Sequence, residues 1–278
     1  MIKIKGNPID TNILNQYGMG SIEGKILNIM LKSDAAYNFN SVNELKFELA
    51  LRKSIVNAAK DLNRSRMEFR TFRKSKCNPE FWYRTGEGGF ELKNNVRPSD
   101  AIKDIYLNSS KYGTECATAM VIVYYKALVD IFPEELFNRM FSRIYLMNWQ
   151  SLDYDMGIVD YMRVPDYLPG DCRYFKNPEV DPLKPEWQGE NVFLLENGLY
   201  FGHGIGITNG ERIIEILNKK RRRGATVSAF LLPSAKRLNF KYLSSKYYGY
   251  PARDEEDFYS KKIWDKTVLS DIILEDIT

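Results

Sequence analysis

Histidine is almost missing from this chain of 278 residues: His203 is the single one. That excludes mechanisms that need two histidines, including most His-rich zinc sites and H-E-x-x-H chemistry. Any Cys-His mechanism must use His203. Cysteine is scarce as well. Cys77, Cys116 and Cys172 are odd in number and widely scattered, so they form neither a disulfide framework nor a C-x-x-C metal spacing, and a reducing compartment is expected. No run approaches the ~18 apolar residues of a membrane span, and the N-terminus, Met1-Ile2-Lys3-Ile4-Lys5-Gly6-Asn7-Pro8, has no secretory apolar region, which predicts synthesis for the cytoplasm and no membrane partner. Internal repeats, low-complexity tracts and a D-x-D-x-D-G calcium loop are also missing. An excess of one charge sign is lacking too: 40 Lys and Arg against 36 Asp and Glu leave +4, too little to imply nucleic acid.

What is present is enough apolar material, 44% of the residues, for the core of one large domain or two small ones. Apolar residues recur at helical spacing over residues 22–32 and 42–63, the second opening on the capping box Ser41-Val42-Asn43-Glu44. Phe81 to Arg84 and Phe90 to Leu92, joined by a Gly-rich turn, predict a hairpin. Pro98-Ser99-Asp100 opens a helix to about Leu107, and Pro133-Glu134-Glu135 opens a short one. Arg143 to Trp149 reads as a strand and Gln150 to Gly170 as a long irregular loop bordering a site. The five basic residues Lys219 to Arg223 suit a helix C-terminus better than a nucleic-acid patch. After Phe240 tyrosines and mixed charge predict an appendage, so the expected organisation is one catalytic domain, 1–240, with 241–278 packed on its surface.

Two segments carry candidate chemistry. In Tyr112-Gly113-Thr114-Glu115-Cys116-Ala117-Thr118-Ala119-Met120 a thiol with a carboxylate before it opens a strongly apolar helix. With Thr114 as N-cap, the positive helix end is expected to lower the thiol pKa. The bland alternative makes Cys116 a small core residue and Glu115 a carboxylate that merely suits the helix dipole. The second segment is a hairpin, residues 191–196 and 199–207 around Asn197-Gly198. A two-residue turn pairs Glu196 with Leu199, sets Val192 opposite His203, and brings Glu190 and His203 to one face as diagonal neighbours. A cysteine at a helix start, a downstream carboxylate strand and a paired histidine strand form the layout of papain-like thiol enzymes. The fold class expected is therefore α+β: a papain-like core with the nucleophile at the N-terminus of a buried helix, packed on an antiparallel sheet with extra helices around it.

Four blocks in order, Glu115-Cys116-Ala117-Thr118-Ala119, Gly170-Asp171-Cys172-Arg173-Tyr174-Phe175-Lys176-Asn177-Pro178-Glu179, Trp187-Gln188-Gly189-Glu190-Asn191-Val192 and Tyr200-Phe201-Gly202-His203-Gly204-Ile205-Gly206-Ile207, resemble the spore-coat protein-glutamine gamma-glutamyltransferases (transglutaminases) of endospore-forming bacteria. The resemblance covers roughly residues 1 to 240. It implies Cys116 as nucleophile, Glu190 as the carboxylate partnering the thiol, Glu115 as a second carboxylate, and His203 near the site, as direct base or in an orienting role. Phe69, Trp149, Trp187 and Asn191 are the implied substrate-binding residues. Cys172 reads as a packed strand residue and Cys77 as an incidental loop thiol. The insert around Asp153 to Tyr167 and the tail after Phe240 are longer than expected for such a family.

The resemblance further implies calcium-independent crosslinking through a Cys116 thioester, with ammonia released and an ε-(γ-glutamyl)lysine bond left. No cofactor or metal is expected. The partners implied are glutamine- and lysine-bearing spore coat proteins, the oligomeric state a monomer, and the location the mother-cell cytoplasm followed by deposition on the coat. Two rivals stand beside this reading: a papain-like cysteine peptidase or amidase with water as acceptor, and a non-enzymatic coat or nucleic-acid-binding protein.

Overall fold

Helices form where apolar residues recur at helical spacing. The computed structural model describes residues 1–149 and 151–251. In it α1 (Ile22–Lys32), α2 (Val42–Arg64), α3 (Pro98–Leu107), α4 (Cys116–Ile131), α5 (Glu134–Met140) and α6 (Gly210–Asn218) follow in order. The capping box before α2 is formed with one change. Ser41 Oγ accepts from the Glu44 N–H at 3.1 Å, while Glu44 reaches one residue further back, to the Asn40 N–H at 3.3 Å and its side-chain amide at 2.8 Å.

Almost every side chain from Ala117 to Leu128 is buried in α4, because the segment is apolar on all sides. Burial of each large apolar side chain stabilises by roughly 1.5–3 kcal/mol, which holds this helix firmly in the core. It packs along α2 on one side and against the strand Gly189–Leu194 on the other. That strand is buried at all six positions and lies inside a seven-stranded sheet. The main path of the sheet runs Gly206–Asn209, Leu199–Gly202, Gly189–Leu194, Cys172–Lys176, Ala235–Arg237, Val159–Tyr161, with Phe230–Leu231 also on Cys172–Lys176. All its pairings are antiparallel. The fold is thus α+β, with a cysteine at the start of a buried helix laid on an antiparallel sheet.

Three expectations are corrected. The Asn197-Gly198 turn is not a two-residue one: Glu196, Asn197 and Gly198 form a short helical turn closed by the Leu195 N–H on the Leu199 carbonyl at 2.8 Å. Asn197 and Gly198 both take left-handed φ, 61° and 72°, which this pair of residues does at little cost. The extra residue shifts the register by one, so Val192 lies opposite Gly202, and His203 falls beyond the end of its strand. Secondly, the strand expected from Arg143 to Trp149 is only Tyr145–Leu146; the chain turns out of it at Asn148, whose φ is 38°. Thirdly, the long loop after Gln150 contains the edge strand Val159–Tyr161, too short to show in the sequence and paired with residues more than 70 positions later.

By internal packing the chain divides into two compact units, Met1–Ser245 and Lys246–Thr278, and the candidate site lies in the first. The surface appendage expected over 241–278 falls, from residue 252 on, outside the described residues. No helix among the described residues is long and apolar enough to cross a membrane.

Candidate active site

The two-residue strand Gly113–Thr114 pairs in parallel with Glu68–Phe69 and leads the chain directly into α4. The N-cap of α4 is Glu115, not Thr114 as expected. Its carboxylate accepts from the Ala117 N–H at 2.5 Å and the Thr118 N–H at 2.7 Å, and also from the Thr118 hydroxyl. Glutamate is long for a cap, and its reach lets both oxygens serve the helix end. Cys116 is therefore the first residue of the helix, half-buried.

This cap changes the electrostatics expected of the thiol. The carboxylate of Glu115 sits on the N–H groups of the positive helix end and offsets it. Burial pushes the Cys116 thiol well above its ordinary value, and the negative charges of Glu190 and Glu115 push it further, while the backbone and side-chain N–H groups of Asn191 pull it back. Asn191 Nδ2 lies 3.5 Å from Sγ. Beside it Glu190, 3% exposed, carries a carboxyl whose Oε1 is buried with no hydrogen-bond partner. Burial, then the charge of Glu115, holds its pKa well above the usual carboxylate range. A carboxyl in such surroundings holds a proton more tightly than an exposed one, and an unpartnered buried oxygen points to a functional role.

Glu190 fits only because residue 202 is glycine. A Cβ there would stand 2.9 Å from Oε1 and 3.1 Å from Cγ of Glu190. Trp149 joins the same cluster, its indole N–H donating to Asn191 Oδ1 at 3.2 Å. The preceding peptide is tied to α4, with the Asn148 N–H donating to Thr118 Oγ1 at 2.8 Å.

The remaining expected residues form a second group. His203 Nε2 is 3.2 Å from the Glu68 carbonyl, and the Thr114 carbonyl also favours the charged form of the ring. Burial outweighs both carbonyls and pushes its pKa down to about 4. The ring thus bonds the strand Glu68–Phe69, which pairs with the strand leading into Cys116, and no hydrogen bond runs from it to the thiol. Phe69 lies between His203 and Trp187, with ring centroids 6.0 and 6.2 Å away. Phe69, His203, Gly202, Gly204 and Gly206 line a cleft of about 220 Å³. A larger cleft of about 580 Å³, between α1 and the Leu195–Gly198 turn, contains none of the candidate residues. The two tryptophans implied to bind substrate each already carry an ammonium from their own chain, Lys236 Nζ 5.2 Å from the Trp149 ring centre and Lys220 Nζ 4.6 Å from that of Trp187.

The structure brings together Cys116, Glu115, Glu190, Asn191 and Trp149, and packs Phe69 against Trp187 and His203. Thr118 and Gly202 also belong to the site and were not singled out. The run of alternating glycines around His203 was a signal for Gly202, whereas nothing in the sequence marked Thr118. Cys172 is fully buried in its strand, and burial raises its thiol pKa. Cys77 is pushed up to about 11, again by burial. The basic run follows α6, with Arg221 on the Asn218 and Val227 carbonyls and Arg222 on Glu179. Among the described residues no group of three or more His, Cys, Asp or Glu side chains could hold a metal ion.

The family model for protein-glutamine gamma-glutamyltransferase matches residues 1–248. A protein-glutamine gamma-glutamyltransferase of Bacillus cereus is 41% identical over 274 residues, 98% of each chain. Another from the same species is 44% identical over 245 residues, 88% of each chain, and one from Bacillus anthracis 40% identical over 274 residues, 98% of each chain. A transglutaminase from Geobacillus stearothermophilus, solved without its C-terminal extension, matches with a TM-score of 0.72 and 49% identity, covering 74% of this chain and 98% of that one. Matches over 274 residues run through the tail, so its length is shared with those relatives and is no departure. With a family model spanning most of its length and relatives matched nearly end to end, the chain belongs to the protein-glutamine gamma-glutamyltransferase family.

Proposed function

We propose that the chain transfers the acyl group of a glutamine side chain to a lysine amine through a thioester on Cys116, with Glu190 moving the protons. The observation that carries this is the buried Glu190 carboxyl, with one oxygen unpartnered, acting on a thiol whose pKa is itself raised. A carboxylate of ordinary pKa is a poor base for a thiol, but burial brings the two closer. Thiol and carboxyl titrate as a pair, and the reactive form is the pair that has lost one proton. Glu190 takes the thiol proton as Sγ attacks the carboxamide carbon, then gives it to the departing nitrogen as the C–N bond breaks. Ammonia leaves and the thioester remains.

The second half needs an uncharged amine, and a lysine of pKa near 10.4 is neutral about once in 2,500 molecules at pH 7, a deficit of roughly 4–5 kcal/mol. Glu190, returned to its carboxylate, takes the ammonium proton and passes it to solvent. The amine nitrogen then forms the amide bond, the C–S bond breaks, and the second amine proton returns to sulfur. The backbone N–H of Cys116 is a candidate donor to the oxyanion of both steps.

The deciding experiment incubates wild type and Cys116→Ala with a fluorescent primary amine and a glutamine-containing protein. Covalent labelling by wild type alone supports the reading. Deamidation or fragments without labelling would assign water as the acceptor and make the chain a hydrolase. The acyl donors and acceptors proposed are spore coat proteins, with the enzyme monomeric, made in the mother cell and deposited on the coat. The supports are the resemblance of the four sequence blocks and relatives from Bacillus. Crosslinked high-mass species in coat extracts treated with wild type and not with Cys116→Ala are expected. Calcium independence is proposed as well, and labelling that stops when calcium is chelated would overturn it.

A further inference from the structure

Resting on the proposed acyl transfer, we infer that Asn191 stabilises the Cys116 thiolate formed when the thiol gives up its proton, and that Trp149 is the positioning residue which fixes the Asn191 amide for that task. An amide side chain can present either its oxygen or its NH2 group to a sulfur, and only the NH2 group stabilises a thiolate. Here the choice is forced. The Trp149 indole has a donor and no acceptor, and its N–H meets the amide at 3.2 Å, so the oxygen must face the indole and Nδ2 must face Sγ, 3.5 Å away. Asn191 is 8% exposed, which keeps water from replacing either contact. The backbone N–H of the same residue also favours the thiolate.

Trp149 is itself fixed to the helix that carries the cysteine. Its neighbour Asn148 takes a left-handed φ of 38°, and the Asn148 N–H donates to Thr118 Oγ1 at 2.8 Å. The Thr118 hydroxyl in turn donates to Glu115, the residue before Cys116. From Cys116 the path runs to Asn191, Trp149, Asn148, Thr118, Glu115 and back, a closed ring of hydrogen bonds and peptide links. Glu115, with both oxygens engaged in that ring and in the helix cap, is an anchor of the ring; proton transfer falls to Glu190, which has an oxygen to spare. The ring answers a need of the site. Two carboxylates and burial all disfavour the thiolate, and charge-assisted hydrogen bonds are the means left to lower its cost.

The test is the pH dependence of Cys116 alkylation by iodoacetamide, read by mass spectrometry on the Cys116 peptide and needing neither glutamine nor amine. Asn191→Ala is expected to move the midpoint up by about one unit, slowing alkylation near neutrality about tenfold. The isosteric Asn191→Asp, which removes the donor and keeps the shape, shifts it in the same direction. Trp149→Phe keeps the ring and loses the N–H; a several-fold slowing with the same upward shift is expected, and kcat for amine incorporation should fall more than KM rises. A wild-type midpoint in folded Asn191→Asp would overturn the role of Asn191, and a wild-type midpoint in Trp149→Phe would overturn that of Trp149. Because alkylation requires no transfer, wild type that alkylates as described yet incorporates no amine would defeat the acyl-transfer reading alone.

Discussion

Asp171 and Glu190 are both buried carboxyl residues near neighbouring strands of one sheet, 0% and 3% exposed, and their pKa values are pushed in opposite directions. Asp171 meets Arg52 at 2.8 Å, Arg237 at 2.7 and 2.6 Å, and the Leu168 N–H at 3.0 Å. Burial pushes its pKa up, but the two guanidinium groups overcome that, and the net direction is down. Glu190 has no cation beside it and keeps an oxygen without a partner, so the same burial pushes its pKa up unopposed. Two similar groups in similar burial thus serve different ends. Surrounded by arginines, a buried carboxylate is an ion that ties the chain together; left alone beside a thiol, it is an acid able to exchange its proton.

Removing the sulfur is the largest blow to the reactive side of this contrast. Cys116→Ala should lose amine incorporation entirely, and residual labelling at the wild-type rate would end the proposed chemistry. Glu190→Gln should follow with a loss of about 10²- to 10⁴-fold, measured in the same labelling assay, while the protein melts no lower than wild type. The folded pKa of Glu190 lies above its unfolded value, so the native state binds the extra proton: its contribution is fully present at low pH and lost as pH rises through the folded pKa. Glu190→Gln should therefore gain stability on wild type as the pH climbs above about 4.5. A steady loss instead would place Glu190 with Asp171.

The structural side of the contrast breaks differently. Asp171→Ala leaves two arginines buried without their anion and should cost about 3–5 kcal/mol in denaturant unfolding. The folded pKa of Asp171 is depressed, so the stability it contributes is present above about 3.9 and lost as pH falls through the folded value. Gly202→Ala tests whether Glu190 must stand where it does. Its Cβ would displace the carboxyl, and a shift of that order should lower kcat about ten- to a hundredfold with little change in melting temperature.

The smallest effect on catalysis is expected at His203. Its ring bonds the Glu68 backbone carbonyl, so His203→Gln should reduce labelling far less than Glu190→Gln. The opposite order would restore Cys-His chemistry. Since burial lowers the folded pKa to about 4, the stability this histidine supplies is full above about 6.5 and falls as pH drops toward the folded value. Melting temperatures of His203→Gln should accordingly decline less than those of wild type between those limits.

Much of the site could be read in the chain. The scarcity of histidine narrowed the mechanism, the strongly apolar run from Met120 to Tyr125 placed Cys116 at the mouth of a buried helix, and the run from Asn191 to Glu196 marked the strand, which in the structure spans Gly189–Leu194 and bears Glu190 and Asn191. These follow from composition and periodicity, which act over a few residues and are written in the sequence itself.

Other features were decided only by the assembled structure. One extra residue in the Glu196–Gly198 turn moved His203 off the face shared with Glu190, because strand register changes sides with every single-residue step. The sequence pairs Glu115 with Cys116 as neighbours but does not say that the carboxylate would turn onto the Ala117 and Thr118 N–H groups and cancel the helix end. It contains Trp149 and Asn191 42 positions apart without joining them. Which carboxyl is neutralised by arginine and which stays a proton carrier depends on the cations that folding brings within a few ångströms, and that distance is a property of tertiary structure alone.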